Sequence, residues 1–365
     1  MRFSGKKAGV IGTLGANFSG HNGNIDTGFT TPDPYILHNL FLQMKNNGCE
    51  YVVMEASAHA IALKKLDGID FEVGVLTNIT EDHLDYFKNM EDYAFTKLKL
   101  FEDYKVKSAL FCGDDKLCLS FASLCNCPVL TYGLNPFCDI NAKDIKKSFE
   151  GSSFICDYAG ELINIDSSLV GEYNIQNALA CIGVCLKLGL SKEIIMQGVN
   201  SLNQTEGRFN IVKYKNLNLV IDYAHTPDGL EKVLSTARDL TDNKVVAIFG
   251  CGGNRDKLKR PIMGRIAEAY ADDVILTSDN PRYEEPMSII GDIKKGMSSK
   301  AIIIENRKEA IEYALSKYKN GETIIIAGKG AEKYQEIKGE KIPYNDFDVI
   351  YDFIKSQIIK ENLTD

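Results

Sequence analysis

The fold class follows from a short apolar run, Tyr51-Val52-Val53-Met54, which passes directly into the polar cluster Glu55-Ala56-Ser57-Ala58-His59. A second run, Val73-Gly74-Val75-Leu76, passes into Thr77-Asn78 and then into a helical pattern over Met90–Phe101. Runs that are apolar at nearly every position are typical of parallel strands buried on both faces, and their alternation with helices is typical of a doubly wound sheet. The first half of the chain is therefore predicted to be an α/β domain with a mostly parallel sheet.

The pattern changes after residue 138 and then resumes. A small antiparallel hairpin is predicted over Phe154–Tyr158 and Glu161–Ile165. Helical periodicity later stops in polar residues near Asn203–Gly207, and 365 residues exceed what one hydrophobic core usually serves, so two domains are predicted, 1–204 and 205–365. The second domain is a further strand-and-helix series, with predicted strands at Asn218–Asp222, Val245–Phe249, Val274–Thr277, Ala301–Ile304 and Thr323–Ala327.

Composition argues against several classes of protein. A formal net charge of -8 argues against nucleic acid as a partner. No apolar run approaches the length of a membrane span, and the first residues do not resemble a signal peptide. The ten cysteines include no C-x-x-C pair. Zinc and redox motifs are thus poorly supported, and reduced cysteines in a cytosolic protein are expected.

Polar residues gather where predicted strands of the second half end, which is where open α/β sheets place their ligands. Four such segments are Asp222-Tyr223-Ala224-His225-Thr226-Pro227, Gly250-Cys251-Gly252-Gly253-Asn254-Arg255-Asp256, Asp279-Asn280-Pro281-Arg282 and Ala327-Gly328-Lys329-Gly330-Ala331-Glu332. The rigid fork of an arginine can hold a carboxylate in two parallel hydrogen bonds. The segments therefore predict a site for an amino-acid substrate that carries its own charges.

Each segment also has a structural interpretation. Asn-Pro is a common turn signal, and the glycine-rich loop with its basic residues could be a solvated loop. Thr226 is predicted to cap a helix that begins at Pro227. Asp222 is predicted to be free to bond a pair of ribose hydroxyls, and Arg208 is either a phosphate contact or an ordinary linker arginine.

The first half offers weaker candidates. Glu55, at the end of a strand, could hold magnesium, although taken alone a helix-capping cluster with Ser57 as the cap is favoured. His83 lies in the acidic loop Thr77–Asp85, where a metal or phosphate contact and a solvated surface turn are equally supported. Lys97 by itself is typical of a solvated helical lysine.

A further pair, Asn174 and Asn177, opens an apolar helix. Asn174 is predicted to be its N-cap, and Asn177, one turn later, could contact a base or a sugar. Capping alone is the favoured interpretation of the pair.

Together these segments, with Thr30-Thr31-Pro32-Asp33-Pro34, resemble the Mur ligase family over essentially the whole chain. Within the family the chain is similar to the members that add the third residue to UDP-N-acetylmuramoyl-L-alanyl-D-glutamate in peptidoglycan synthesis. Asp279-Asn280-Pro281-Arg282 is similar to the signature of members that add meso-diaminopimelate. The resemblance implies a truncated central ATPase domain, mostly parallel with a small antiparallel hairpin region, followed by a Rossmann-like C-terminal domain.

The resemblance also implies an ATP-dependent amide ligase in which an acyl phosphate is attacked by an amine. Magnesium would be held by Glu55, His83 and a carbamylated Lys97, which are also the implied catalytic residues. The other implied contacts are Asn174, Asn177, Arg208 and Asp222 for ATP; Thr30, Thr31, Ser57 and Lys65 for UDP-MurNAc-dipeptide; and Arg255, Asn280, Arg282, Gly328 and Glu332 for the amino acid. A cytoplasmic monomer that acts on small molecules, without nucleic acid or membrane partners, is expected.

The chain departs from the family pattern in one large respect. No stretch fits the P-loop of Gly, four residues, Gly-Lys and Ser or Thr. From the resemblance, the 365 residues are also expected to lack the family's N-terminal uridine-binding domain. The 365 residues alone are therefore expected not to turn over ATP. Ala58, Leu63, Lys65 and Ala331 also replace residues usual in the family, which weakens the prediction for the sugar-peptide site.

Two alternative functions follow from these departures. One is a non-catalytic binding protein that retains the amino-acid pocket. The other is a different ATP-dependent amide ligase, of the folylpolyglutamate type, against which Asp279–Arg282 argues.

Overall fold

A computed structural model describes residues 2–18, 23–80, 86–298 and 300–364 of the chain. These residues form two compact units. The N-terminal unit comprises Met1–Lys146 and Gly151–Leu202, and the C-terminal unit comprises Lys147–Glu150 and Asn203–Asp365.

The N-terminal unit contains two sheets. The smaller has the strand order β2-β1-β3, with β1 antiparallel to β2 and parallel to β3: β1 (Ala8–Gly12), β2 (Gly15–Phe18) and β3 (Tyr51–Met54). The larger follows chain order from β4 to β9: β4 (Phe71–Leu76), β5 (Val106–Cys112), β6 (Val129–Gly133), β7 (Ile140–Ser148), β8 (Gly151–Tyr158) and β9 (Glu161–Ser167). Its first four strands are parallel, and β8 and β9 form the predicted antiparallel hairpin.

In the described part of this unit, six helices accompany these sheets, after a short 3₁₀ turn at Arg2–Ser4. They are α1 (Pro34–Asn46), α2 (Ala58–Ala62), α3 (Met90–Glu102), α4 (Lys116–Ala122), α5 (Glu172–Lys187) and α6 (Lys192–Asn200). Ser57 caps α2 by accepting a hydrogen bond from the backbone N–H of Ala60, as predicted.

The prediction that Tyr51–Met54 is buried on both faces is wrong. Val52 and Val53 of β3 are 38% and 57% exposed. The reason is that β3 is the edge strand of a three-stranded sheet, with only β1 beside it among the described residues. Apolar periodicity predicts a strand but does not reveal how many neighbours it has.

The C-terminal unit is built on one six-stranded sheet of order β10-β11-β15-β12-β13-β14, parallel except for β10. A separate antiparallel hairpin, β16 and β17, follows it. The strands are β10 (Asn210–Tyr214), β11 (Leu217–Asp222), β12 (Val245–Phe249), β13 (Asp273–Leu276), β14 (Ile302–Ile303), β15 (Thr323–Ala327), β16 (Tyr334–Ile337) and β17 (Glu340–Pro343). The helices are α7 (Pro227–Leu240), α8 (Lys259–Tyr270), α9 (Pro286–Lys294), α10 (Arg307–Lys317) and α11 (Asp346–Thr364).

This strand order brings the candidate residues together. The central strands β12 and β15 are buried at every position, as their continuous apolar sequence predicts. Because neighbouring parallel strands end at the same edge, the loops after Asp222, Phe249, Leu276 and Ala327 meet there. The α/β class, with mostly parallel sheets and a small antiparallel sheet, is confirmed.

Two other predictions concern the redox state of the cysteines and the presence of membrane-spanning segments. All ten cysteines are free, and Cys181 is exposed. Within the described ranges, no helix combines the length and the apolar character that a membrane span requires.

Candidate active site

The side chain of Asn280 lies at the centre of the C-terminal candidate site. Its Oδ1 accepts hydrogen bonds from Lys329 Nζ at 3.0 Å and from the backbone N–H of Glu336 at 2.8 Å. Its Nδ2 donates to Oε2 of Glu332 at 2.9 Å. The structure thus places Asn280 and Glu332 in direct contact, although they are far apart in sequence. Both were predicted to bind the amino-acid substrate.

Arg282 is fixed by both its backbone and its side chain. Its Nε donates to Oε2 of Glu336 at 3.0 Å, and its Nη1 donates to the carbonyl of Gly253 at 2.8 Å. Its φ of 52° lies in the left-handed region that a non-glycine residue seldom adopts. Nη2 makes no hydrogen bond to a described residue, so one end of the guanidinium fork remains available to an anion.

The glycine-rich loop after β12 supplies a second cation. Arg255 is exposed and makes no hydrogen bond or ion pair with the described part of the chain. Its Cγ lies 3.8 Å from the point that a Cβ on Gly252 would occupy, and that point is 3.0 Å from Nη1 of Arg282. Arg255 and Arg282 therefore both lie next to Gly252.

Two basic residues that open α8, directly after this loop, bond to other residues of the chain. Arg260 is fully buried and donates to Glu284 and Asp292 at 2.9 to 3.0 Å. Lys259 donates to the carbonyl of His225 at 2.8 Å. Hydrogen bonding to Arg260, above all, lowers the pKa of Glu284 to about 2.

Gly328, another predicted amino-acid contact, lies over a pair of buried charged groups. A Cβ at this position would stand 2.6 Å from Oδ2 of Asp279 and 3.9 Å from Nη1 of Arg307. Both of these atoms are buried without a hydrogen-bond partner among the described residues. Arg307 is otherwise bonded to Asp346, with Nε and Nη2 each 2.8 Å from a carboxylate oxygen.

Asp222 differs from its prediction. The carboxylate is 5% exposed, and its two oxygens accept backbone N–H groups of Phe209 and Ala224, each at 2.7 Å. Burial raises the pKa of the Asp222 carboxyl, whereas the two backbone hydrogen bonds act in the opposite direction. The expectation that Asp222 is free for a ribose is therefore wrong, because the loops at the strand end use its oxygens.

Two further predictions concern the neighbourhood of Asp222. The guanidinium carbon of Arg208 lies 4.9 Å from the centre of the Tyr223 ring. Thr226 caps α7 as predicted, accepting a hydrogen bond from the N–H of Gly229 at 3.2 Å. Arg208 as a phosphate contact stays a prediction.

In the N-terminal unit, a cluster of hydroxyl groups surrounds Glu55. Thr13 donates to Oε2 of Glu55 at 2.9 Å and lies 3.0 Å from the hydroxyl of Thr30. Thr31 donates to the Glu55 carbonyl at 2.9 Å and accepts from the N–H of Ser57 at 3.0 Å. The structure thus brings together Thr30, Thr31 and Ser57, the residues predicted to contact the sugar-peptide, around a possible metal ligand.

Lys97 and Lys65 have local partners. The ammonium group of Lys97 donates to the carbonyl of Asn78 at 3.3 Å and lies 4.7 Å from the centre of the Tyr93 ring. Lys65 pairs with Asp33 at 2.6 Å. His83 lies outside the described residues.

These contacts allow the fit of a magnesium ion to be tested. Oε1 of Glu55 accepts no hydrogen bond from a described residue, so the carboxylate offers the hard oxygen donor that magnesium prefers. Lys97 as an ammonium group is only a donor and cannot be a ligand without carbamylation. Among the described residues no group of three His, Cys, Asp or Glu side chains could hold a metal.

Asn174 is not the N-cap of α5. The cap position is Gly171, and Asn174 lies in the first turn, where its Nδ2 donates to the carbonyl of Val170 at 2.8 Å. Its Oδ1 lies 3.3 Å from Nδ2 of Asn177. The two predicted ATP contacts are adjacent, and the positive φ of 95° at Gly171 explains why the chain enters the helix earlier than expected.

Three charged residues around Asn280 and Gly328 were missed: Arg307, Lys329 and Glu336. Each is identified by a partner at least 39 positions away in the chain. For Lys329 a signal was present, because a lysine between two glycines directly after a buried strand is poorly placed to reach solvent. The sequence offers no comparable signal for Glu336.

Comparison with known proteins gives one family match for each half of the chain. The model of the Mur ligase middle domain matches residues 2–185, and the model described as Mur ligase, glutamate ligase domain, matches residues 207–330. The chain belongs to the Mur ligase family.

Individual relatives agree with this membership. UDP-N-acetylmuramoyl-L-alanyl-D-glutamate--2,6-diaminopimelate ligase 1 of Clostridium acetobutylicum is 40% identical over 97% of this chain and 74% of its own length. The corresponding ligase of Clostridium perfringens is 42% identical over the same shares. A solved structure of a ligase with this name is 33% identical, with a TM-score of 0.68 over 97% of this chain and 74% of that one.

Proposed function

We propose that the chain acts as an ATP-dependent amide ligase of peptidoglycan precursor synthesis, adding meso-diaminopimelate to UDP-MurNAc-L-Ala-D-Glu. Residues 1–204 would bind ATP and the sugar-peptide, and residues 205–365 would bind the amino acid. Membership of the Mur ligase family and relatives at about 40% identity support the reaction.

The choice of meso-diaminopimelate as the amino acid rests on the hydrogen bonds that Arg282 makes. Glu336 and the Gly253 carbonyl hold Nε and Nη1, so the guanidinium group cannot rotate away, while Nη2 stays available. A fixed guanidinium group loses little conformational entropy when it binds a carboxylate. Diaminopimelate has a distal carboxylate that lysine lacks, and Arg255, which also lies next to Gly252, would add a second cation for it.

The proposed chemistry has two steps. The terminal carboxylate oxygen of the sugar-peptide attacks the γ-phosphorus of ATP, and the bond to ADP breaks. The neutral amine of the amino acid then attacks the acyl carbon, the carbon–oxygen bond to phosphate breaks, and the nitrogen loses one proton as the amide forms. Glu332, with its carboxylate beside Asn280, would receive the ammonium group of the amino acid.

In the N-terminal unit, Thr30, Thr31, Ser57 and Lys65 would contact the sugar-peptide, and Asn174 and Asn177 would contact ATP. Arg208, which belongs to the C-terminal unit, would also contact ATP. Magnesium, held by Glu55 and by a carbamylated Lys97 with His83, would neutralise phosphate charge. The clustering of hydroxyl groups around Glu55 supports this placement. A reaction that consumes ATP implies a cytoplasmic location, and a monomer suffices for it.

Calorimetry on the purified chain tests the choice of amino acid. We expect meso-diaminopimelate to bind more tightly than L-lysine, and Arg282→Ala to weaken diaminopimelate about 10- to 100-fold while changing lysine little, since one charge-assisted contact is lost. Arg265→Ala is the matched control, because Arg265 is an exposed arginine on α8 of the same unit. Equal losses for both ligands would refute the role of Arg282.

A non-catalytic binding protein shares this pocket, so only turnover separates it from the ligase. That the 365 residues alone do not turn over ATP stays a prediction, which diaminopimelate-dependent release of ADP would contradict. The folylpolyglutamate-type alternative predicts glutamate, which should compete with diaminopimelate only if that alternative holds.

A further inference from the structure

Lys329 is a lysine with no exposed surface, placed under the proposed amino-acid pocket. It directly follows β15 and Gly328, and its Nζ lies 3.0 Å from Oδ1 of Asn280 and 2.5 Å from Oε2 of Glu332. The Tyr334 ring centre is 5.8 Å away. Lysine is almost never fully buried unless it is paired, because removing an ammonium group from water is costly. Its position therefore requires the two partners.

The contact with Lys329 limits what Asn280 can offer a substrate. The carbonyl oxygen of an asparagine has two lone pairs. In Asn280 one accepts from Lys329 and the other from the backbone N–H of Glu336. Nδ2 donates one hydrogen to Glu332. Asn280 is thus left with one N–H to donate and no acceptor.

Glu332 is constrained in the same way. Its Oε2 receives both Lys329 and the amide of Asn280, while 17% of the side chain remains exposed. Oε1 is the oxygen that neither of these two residues uses. The carboxylate is therefore anchored to Lys329 and Asn280 through one of its two oxygens.

We infer that Lys329 is a positioning residue, whose buried ammonium group holds Asn280 and Glu332 in single orientations so that Oε1 of Glu332 meets the ammonium group of the amino acid. This inference rests on the proposed function. Lys329 does not contact the substrate itself. It acts on the recognition of the ammonium group, whereas Arg282 recognises a carboxylate.

A double-mutant cycle tests this role with the affinity for meso-diaminopimelate as readout. Lys329→Met is expected to weaken binding about tenfold, as is Glu332→Gln, and the double variant is expected to be no weaker than either single variant, because both remove one arrangement. Lys329→Met with Arg282→Ala should instead give the product of the two single losses. Multiplying losses for Lys329 and Glu332 would overturn the inference.

Pimelate separates positioning from general damage to the fold. It has two carboxylates but no ammonium group, so Lys329→Met should leave its affinity unchanged, whereas a distorted pocket would bind it less well. Lys329→Arg keeps the charge and should recover part of the loss. An equal loss of pimelate affinity would contradict the inference.

A measurement without ligand keeps the two proposals distinguishable. In the wild-type chain the side-chain amide hydrogens of Asn280 should exchange slowly with solvent in NMR spectra, and Lys329→Met should make them fast. If Lys329→Met leaves the exchange rate of these hydrogens unchanged, Lys329 does not hold Asn280 in place. If the wild-type chain binds no meso-diaminopimelate, the proposed function fails, while this exchange experiment still tests the contact.

Discussion

Arg282 and Glu336 are joined twice: Nε of Arg282 donates to the Glu336 carboxylate at 3.0 Å, and the backbone N–H of Arg282 donates to the Glu336 carbonyl, also at 3.0 Å. The segment after β13 is thereby aligned along β16, and the N–H of Lys338 donates to the Arg282 carbonyl at 2.7 Å. The direction of the guanidinium group is set by a strand that lies outside the main sheet.

Glu336→Gln should therefore weaken the binding of meso-diaminopimelate, although Glu336 itself is not expected to contact this ligand. We expect a loss of about five- to thirtyfold, because a charge-assisted hydrogen bond that orients Arg282 is replaced by a neutral one. The affinity for lysine should change little. Titration calorimetry on Glu336→Gln, with the exposed Glu340→Gln of β17 as control, gives the answer. A loss shared by both ligands would contradict this role.

The left-handed backbone of Arg282 has a consequence for stability. An L-residue in this region costs about 1–2 kcal/mol relative to glycine, so Arg282→Gly should be about 1 kcal/mol more stable than Arg282→Ala, although both lose binding. The measurement is the free energy of unfolding in urea. At Arg265, inside α8, the order should reverse, because glycine is about 1 kcal/mol worse than alanine in a helix. The same order at both positions would show that Arg282 is not strained.

Arg307 and Asp346 form an ion pair in which neither side chain has exposed surface. Arg307→Met should cost about 3–5 kcal/mol of unfolding free energy, because it leaves Asp346 buried and uncompensated. Arg307→Met with Asp346→Leu should recover most of that loss. Lys308→Met breaks an exposed pair on the same helix and should cost less than about 1 kcal/mol. A double variant as unstable as Arg307→Met would contradict this account.

The lowered pKa of Glu284 implies that the free energy of unfolding depends on pH. Its folded pKa of about 2 lies below the ordinary value of 4.5, so its pairing with Arg260 stabilises the fold above about pH 4.5, and this contribution is lost as the pH falls towards 2. Wild type should exceed Glu284→Gln in stability at pH 7, and the difference should shrink between pH 4.5 and 2. Urea unfolding at several pH values measures it. A constant difference would show that the charge of Glu284 is not responsible.

Local sequence predicted those features that depend on near neighbours. The buried strands Val245–Phe249 and Thr323–Ala327 and the cap at Thr226 follow from a run of apolar residues or from one hydroxyl before a proline. The exposure of Val53 did not follow, because it depends on which strands lie beside β3.

The candidate site divides in the same way. Arg282 was recognisable from its own segment, whereas Glu336 and Lys329 act through contacts across about 50 residues. Asp222 was misjudged because backbone N–H groups, which no sequence pattern displays, occupy its carboxylate.

A crystal structure of the chain with meso-diaminopimelate would show directly whether Arg282 binds the distal carboxylate. We expect the distal carboxylate within hydrogen-bond distance of Nη2 of Arg282, about 2.7–3.2 Å, with Arg255 nearby and Glu332 at an ammonium group. A distal carboxylate bound away from Arg282, with the guanidinium group still held by Glu336, would contradict it.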